Sequence, residues 1–398
     1  MPTPTLQVPH FDISSPDFAM QSEEVRNARE SSWYATTNYG LAVLQYEHVA
    51  KLLKSPKLIQ GSAKWPAHNG VHSGLFFDWW TKNLLVLEGE DHHRIRRLLN
   101  PAFSPRMVKG LRPRFQALAN ELIDAFIDKG ECDVIADFAE PYATRVLTIL
   151  LGIDESEWPT IARLASTVGL ALGVTFKQDL EKVEAAVAEL YEYAEALIRD
   201  RQANPGDDFM SKLVLANRDG DSLTDEELRN AVVLLIFGGM DTTRNQIGLA
   251  FQSFMRHPEQ WDLLAERPDL GGKAVEEVMR TNPTVTWVTR EAVETFEHNG
   301  LVIEKGTTVH LFTQTSGTDP QAFPNPELDL LGEHPPHYGF GGGVHHCLGH
   351  FIARADMSEA LPLIASRITN MRLNGQDVWM PDSGNTGPVK LPIAFDRR

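Results

Sequence analysis

From about Ser104 to His257 the apolar residues recur at helical spacing, with Ala, Leu and Glu abundant, and this predicts a mostly helical middle. Its longest uninterrupted part begins at Thr224-Asp225-Glu226-Glu227, where Thr224 can cap a helix and Glu227 can reach back to it. No proline follows until past Arg256, so the helix spans about 45–50 Å at 1.5 Å per residue. The flanks alternate differently. Tyr39 to Tyr46 predicts a short strand, followed by a helix from Glu47 towards Leu53. Gly300 to Phe312 predicts two strands around Glu304-Lys305-Gly306, a hairpin signal. The last thirty residues, with Gly375, Gly384 and Gly387, predict short strands and turns, and residues 1–30 read as irregular. A large helical part with a small sheet drawn from both ends predicts an α+β fold, mainly α, forming one domain over 1–398. Length alone would suggest two or three domains, and the missing linker argues against that.

Composition narrows the class. Apolar content of 42% and charged content of 23% are those of a globular protein. With Cys132 and Cys347 as the sole cysteines, no disulfide framework is expected, and a reducing cytoplasm is the natural setting. Met1 to Ser15 carries three prolines and no apolar core, which argues against a signal peptide or membrane anchor. The longest apolar run, Ala231 to Met240, is about half of what a bilayer-spanning helix needs. A net charge of −17 argues against nucleic acid as partner. One segment breaks that trend: His92 to Asn120 has no acidic residue but contains Arg94, Arg96, Arg97, Arg106, Lys109, Arg112 and Arg114. It reads either as a solvated helix face or as a docking patch for an acidic partner.

The chemistry is concentrated around Cys347. Phe340-Gly341-Gly342-Gly343-Val344-His345-His346-Cys347-Leu348-Gly349 is a glycine-rich turn that delivers one thiolate to the start of an amphipathic run. A helix N-terminus favours negative charge and lowers a thiol pKa. One thiolate without further cysteines at cluster spacing does not suit zinc or iron–sulfur. It suits haem iron, where a single axial thiolate pushes electron density towards dioxygen. Three other readings remain open: a buried Cys in a structural turn, a phosphate loop that lacks the gripping lysine, and a Cys–His hydrolase nucleophile. A second unusual stretch is Gly238-Gly239-Met240-Asp241-Thr242-Thr243 inside the long helix. Two interior glycines cost roughly 1 kcal/mol each relative to Ala. Thr242 can bond back to the carbonyl of Gly238, which distorts the helix. An alcohol beside a carboxylate can relay the protons that dioxygen cleavage consumes.

Phe-x-x-Gly-x-x-x-Cys-x-Gly, filled by Phe340, Gly343, Cys347 and Gly349, resembles the haem-ligand signature of the cytochrome P-450 superfamily. Gly-Gly-x-Asp-Thr resembles its oxygen-binding motif. The resemblance covers residue 30 to the end and implies the triangular P-450 fold, of the soluble bacterial type. It implies haem b held by Cys347, Asp241 as relay acid and Thr242 as alcohol. His92-x-x-x-Arg96, Arg290 and His345 are similar to the propionate ligands. Glu277-Val278-Met279-Arg280 matches a structural Glu-x-x-Arg pair. Gly89-Glu90 departs from the family, standing where prolines often precede the propionate histidine, and Leu330-Leu331-Gly332 lacks a usual arginine. By the same resemblance the Leu75 to Trp80 segment is a loop over the pocket. Phe76, Phe77, Trp80, Leu170, Leu172, Val174, Phe176, Phe237, Trp287, Val288 and Thr386 would line it. Each is also an ordinary core residue.

The expectation is a haem-dependent monooxygenase inserting one atom of O2 into an apolar small molecule, without nucleic acid or membrane as partner. Electrons would come from a separate acidic ferredoxin docking on the patch from Arg94 to Arg114. The rivals are an atypical oxidation (ring coupling, desaturation or peroxide-driven), a non-catalytic haem protein, and the hydrolase.

Overall fold

The computed structural model describes residues 8–173, 175–206, 208–215 and 221–398. Helices dominate, and the long one runs Asp225–Arg256. It starts where the capping box predicts: Glu227 N donates to Thr224 Oγ1 at 3.2 Å and Thr224 N to Glu227 Oε2 at 2.8 Å. It ends at His257, because Pro258 follows and disfavours helical backbone before it. Of its 32 residues 20 are buried, the pattern of a helix enclosed on most sides. Helices Glu140–Leu151, Trp158–Gly169 and Phe176–Ala203 pack around it. A second packed unit joins Pro105–Phe126, Gly271–Thr281 and His350–Ala365.

The main sheet has six strands in the order His10–Phe11, Tyr34–Thr37, Gly40–Val43, Thr308–Phe312, Trp287–Ala292, Leu58–Gln60. Gly40–Val43 and Thr308–Phe312 are parallel, with Gly40 opposite Thr308. Trp287–Ala292 runs antiparallel to Thr308–Phe312, with Arg290 opposite Val309. A smaller sheet joins Ile368–Leu373, Pro392–Arg397 and Glu131–Asp133. The expected α+β, mainly helical class therefore holds.

Three local expectations need correction. The two strands after Gly300 form, but not as a hairpin around Glu304-Lys305-Gly306. Leu301–Ile303 pairs with Phe296–His298 through Asn299-Gly300, both at positive φ (47° and 80°), which suits a tight hairpin turn. Gly306 instead turns the chain, with its N–H on Ala292 O at 2.7 Å, into a strand of another sheet. Residues 1–30 are not irregular throughout. Strand His10–Phe11 pairs with Thr36 and Thr37, and helix Glu23–Ser31 is capped by Ser22. The stretch before residue 8 lies outside the described residues. The Leu75 segment is a helix, Leu75–Lys82, rather than a loop. Phe76, Trp79 and Trp80 give it a buried aromatic face.

The pair Glu277–Arg280 is fully buried. Arg280 Nε and Nη2 donate to the two carboxylate oxygens at 2.9 and 2.7 Å. Removing one partner strands a charge in low dielectric. Glu277→Ala should lower unfolding free energy by about 3–5 kcal/mol in urea denaturation. Glu47→Ala removes an exposed, solvent-screened pair with Lys51 and should leave the urea midpoint at its wild-type value. Equal effects would show that the buried pair carries no special weight.

Candidate active site

One cavity of about 500 Å3 lies between the long helix, the Cys347 loop and the main sheet. Cys347, Phe340 and Gly349 are in its wall, together with Gly238, Asp241 and Thr242. The sequence places these two groups about a hundred residues apart, and the fold brings them to one space.

The cysteine loop is built by backbone bonds. Gly341 N–H reaches Tyr338 O at 2.8 Å, and Cys347 N–H reaches Phe340 O at 3.0 Å. Gly343 has φ +70°, and a Cβ there would lie 2.7 Å from Leu53 O, so a side chain is excluded twice over. Arg354 stacks over the Phe340 ring at 4.3 Å. Helix His350–Ala365 starts three residues beyond Cys347. Cys347 itself is partly exposed to the cavity. Burial pushes its thiol up, against the lowering effect of the Gly349 and His350 N–H groups and of Arg96 and Arg354. The expected drop from the helix end is therefore present but outweighed. Among the described residues no histidine ring nitrogen hydrogen-bonds the sulfur, so no Cys–His dyad is assembled.

The long helix runs as continuous α-helix through its paired glycines, so of the expected distortion only the back-bond from Thr242 is seen. Thr242 Oγ1 donates to Gly238 O at 2.8 Å. A Cβ at Gly238 would meet nothing within 4 Å, so this glycine faces the cavity rather than a packed neighbour. Asp241 is buried and held by three donors. Arg244 Nη2 lies at 2.5 Å from Oδ1, and Asn245 Nδ2 at 3.2 Å and Asn385 Nδ2 at 3.1 Å from Oδ2. Arg244 also reaches Ser166 Oγ at 3.1 Å and Glu140 Oε2 at 3.5 Å.

The four basic residues expected at the propionates gather on one side. His92 is buried and neither ring nitrogen has a partner. Burial, with His345 and Arg96 adding to it, lowers its pKa to about 4, so the ring is neutral near pH 7. Its centroid lies 4.2 Å from that of His345. His345 Nε2 meets Glu88 Oε1 at 2.9 Å. Arg96 donates to His346 O. Arg290 bonds Thr289 O at 3.0 Å and is buried without a carboxylate in ion-pair reach, and burial lowers it to about 10. Orphaned donors beside a half-buried thiol are the donor set that a haem with two carboxylates fits.

The expected lining divides. Trp80, Leu172, Phe237, Trp287 and Val288 are in the wall. Phe76 and Phe176 lie behind it, packed on each other at 4.9 Å. Phe77 packs against the core, Leu170 faces outward, and Thr386 sits behind Asn385. Val174 lies outside the described residues. The basic segment also divides. Arg94 pairs with Glu227 and Asp221, Arg97 with Asp221, and Arg112 with Glu359. Arg106, Lys109 and Arg114 remain exposed without an ion pair among the described residues.

Sequence reasoning missed Arg244 and Asn385, which hold Asp241, and Glu88, which meets His345. It also missed His310, whose buried Nε2 has no partner in the cavity wall. The one available signal was His310 itself, a titratable residue with apolar neighbours on both sides in the strand Thr308–Phe312.

The family model for cytochrome P450 matches residues 168–267 and 260–393. Luteothin monooxygenase of Streptomyces thioluteus is 36% identical over 392 residues, covering 98% of this chain and 96% of the relative. The mycinamicin IV hydroxylase/epoxidase of Micromonospora griseorubida is 33% identical, with 89% of each chain covered. The solved structure of the bacillaene polyketide synthase cytochrome P450 PksS of Bacillus subtilis superposes with a TM-score of 0.87. It is 25% identical and covers 97% of this chain and 100% of its own. A cysteine loop and a long helix sharing one cavity, in a chain matched over nearly its whole length, make this protein an oxidoreductase of the cytochrome P450 family.

Proposed function

We propose that the protein is a monooxygenase of secondary metabolism that inserts one atom of O2 into an apolar small molecule. The observation that carries this reading is the shared cavity, with Cys347 in the same wall set as Asp241 and Thr242. Family membership brings haem with thiolate ligation, O2, a small-molecule substrate and a redox partner. The haem is of b type in this reading, since Cys132 and Cys347 offer no Cys-x-x-Cys-His for covalent attachment. Cys347 would ligate its iron, and His92, Arg96, Arg290 and His345 would meet its propionates. When bound, the haem supplies the activation of dioxygen.

The chain's own part is to admit substrate, exclude bulk water and deliver protons. Thr242 Oγ1 is the donor at the cavity, and Gly238 O holds it in place. Asp241 supplies it with protons. In the closed arrangement its carboxylate is engaged by Arg244, Asn245 and Asn385, so delivery requires one of these bonds to open. Arg244 links it outward to Glu140, which is partly exposed. His310 Nε2 offers the apolar substrate one polar contact. Electrons come from a ferredoxin docking on Arg106, Lys109 and Arg114, the unpaired remainder of the basic segment. Among the described residues no helix is long and apolar enough to cross a membrane.

Cys347→Ala should abolish the carbon monoxide absorption band peculiar to thiolate-ligated haem in the reduced protein. A wild-type spectrum in that variant would remove Cys347 from the iron. Asp241→Asn should lower kcat about 100-fold at unchanged haem content, the scale of losing one positioned proton donor. Thr242→Ala should let the same O2 be consumed with less product. If both variants turn over like the wild type, the relay lies elsewhere.

A further inference from the structure

At the C-terminal end of the long helix a second groove of about 290 Å3 is lined by Arg26, Arg29 and Arg256. Most arginines of this acidic chain are ion-paired, as Arg94, Arg145, Arg244, Arg280 and Arg354 illustrate. Arg26, Arg29 and Arg256 have no carboxylate in ion-pair reach among the described residues. The same property marks Arg96 and Arg290, which face the cavity where an anionic cofactor is expected.

The groove is organised. Gln21 ties the two outer arginines together: its carbonyl accepts from Arg26 Nη1 at 2.5 Å and its Oε1 from Arg256 Nη1 at 3.2 Å. Gln21 Nε2 is in turn fixed on Asn282 Oδ1 at 2.8 Å. Arg29 is 5% exposed; its Nη1 bonds Thr315 O and Thr318 Oγ1, and its buried Nε has no partner. Helix dipoles explain part of this, since Arg29 and Arg256 lie in the last turns of their helices. They do not explain why the buried Nε of Arg29 is left without an acceptor, which costs desolvation. The acids nearby are otherwise occupied. Glu327 lines the groove but lies against His257 at 3.5 Å, Asp319 accepts from Tyr46 and Gln321, and Asp382 accepts from Met20 N.

We propose that this groove binds a small phosphate-bearing ligand, with Arg26, Arg29 and Arg256 meeting its oxygens. Three guanidinium forks match a dianion with three acceptor oxygens better than a single carboxylate. Met20, Pro326 and Leu328 add an apolar wall that a phosphate ester could cover. The site is wired to the main cavity: Asn282 O accepts from Gln246 Nε2 at 3.0 Å, and Gln246 Oε1 from Thr284 N at 2.9 Å. Gln246 and Thr284 both line that cavity.

The test is calorimetric titration of the haem-loaded protein with inorganic phosphate and, separately, with phenyl phosphate, at matched ionic strength. Saturable one-site binding is expected, about tenfold weaker in each of Arg26→Gln and Arg256→Gln. Both residues are exposed, so their variants should keep the wild-type haem spectrum. Tighter binding of phenyl phosphate would assign an ester, and equal binding free phosphate. Absence of saturable binding for either anion, or binding unchanged in both variants, would overturn the proposal.

Discussion

The position of the cysteine loop depends on one buried guanidinium. Arg280 uses all five of its N–H donors. Beyond Glu277, Nη1 reaches Gly317 O and Pro326 O, and Nη2 reaches Glu327 O. Glu277 Oε2 also accepts from Asp329 N at 3.0 Å. Gly317 closes the helix Thr313–Gly317, and Pro326, Glu327 and Asp329 belong to the irregular stretch that runs on into Phe340 and Cys347. It has no ladder of its own to fix it. A helix that is itself packed on His350–Ala365 therefore holds both the approach to the cysteine and the helix beyond it. A buried charge is costly, and it is tolerated here because every donor finds an acceptor.

Asp241 follows the same rule to a different end. It is a second buried charge with satisfied oxygens, but its partners come from Asn385 near the C-terminus as well as from its own helix. Such a network fixes the carboxylate beside the cavity and also restrains it. Stability and proton delivery draw on the same bonds, so the resting geometry and the working geometry must differ at one of them.

Charge also decides where partners can meet the surface. Counted along the chain, the segment from Arg94 to Arg114 is uniformly basic. In space, Asp221, Glu227 and Glu359 neutralise half of it, and the exposed remainder is a smaller patch of Arg106, Lys109 and Arg114. Arginines that find no carboxylate in so acidic a chain are therefore the informative ones, at the cavity, on this helix and in the groove at the C-terminal end of the long helix.

What was legible in the residues was local. The capping box set the start of the long helix, because Thr224 and Glu227 are three positions apart on one turn. Thr242 foretold its bond back to Gly238, and the Gly-rich run before Cys347 foretold the positive φ of Gly341 and Gly343. Asn299-Gly300 carried the true hairpin signal, although the competing Glu304-Lys305-Gly306 turn read as well on paper. Strand pairing is a long-range choice, and only packing separates two good turns. Tertiary structure alone decided the rest. Phe76 and Phe176 share the aromatic character of Trp80, yet lie behind the wall because the helices Leu75–Lys82 and Phe176–Ala203 pack these two rings on each other. Glu88 and Asn385 became site residues through contacts across 257 and 144 positions, whereas Arg244 reaches Asp241 from one turn along the same helix. Periodicity and short motifs report what neighbours along the chain can do; a buried charge takes its meaning from partners that only the fold supplies.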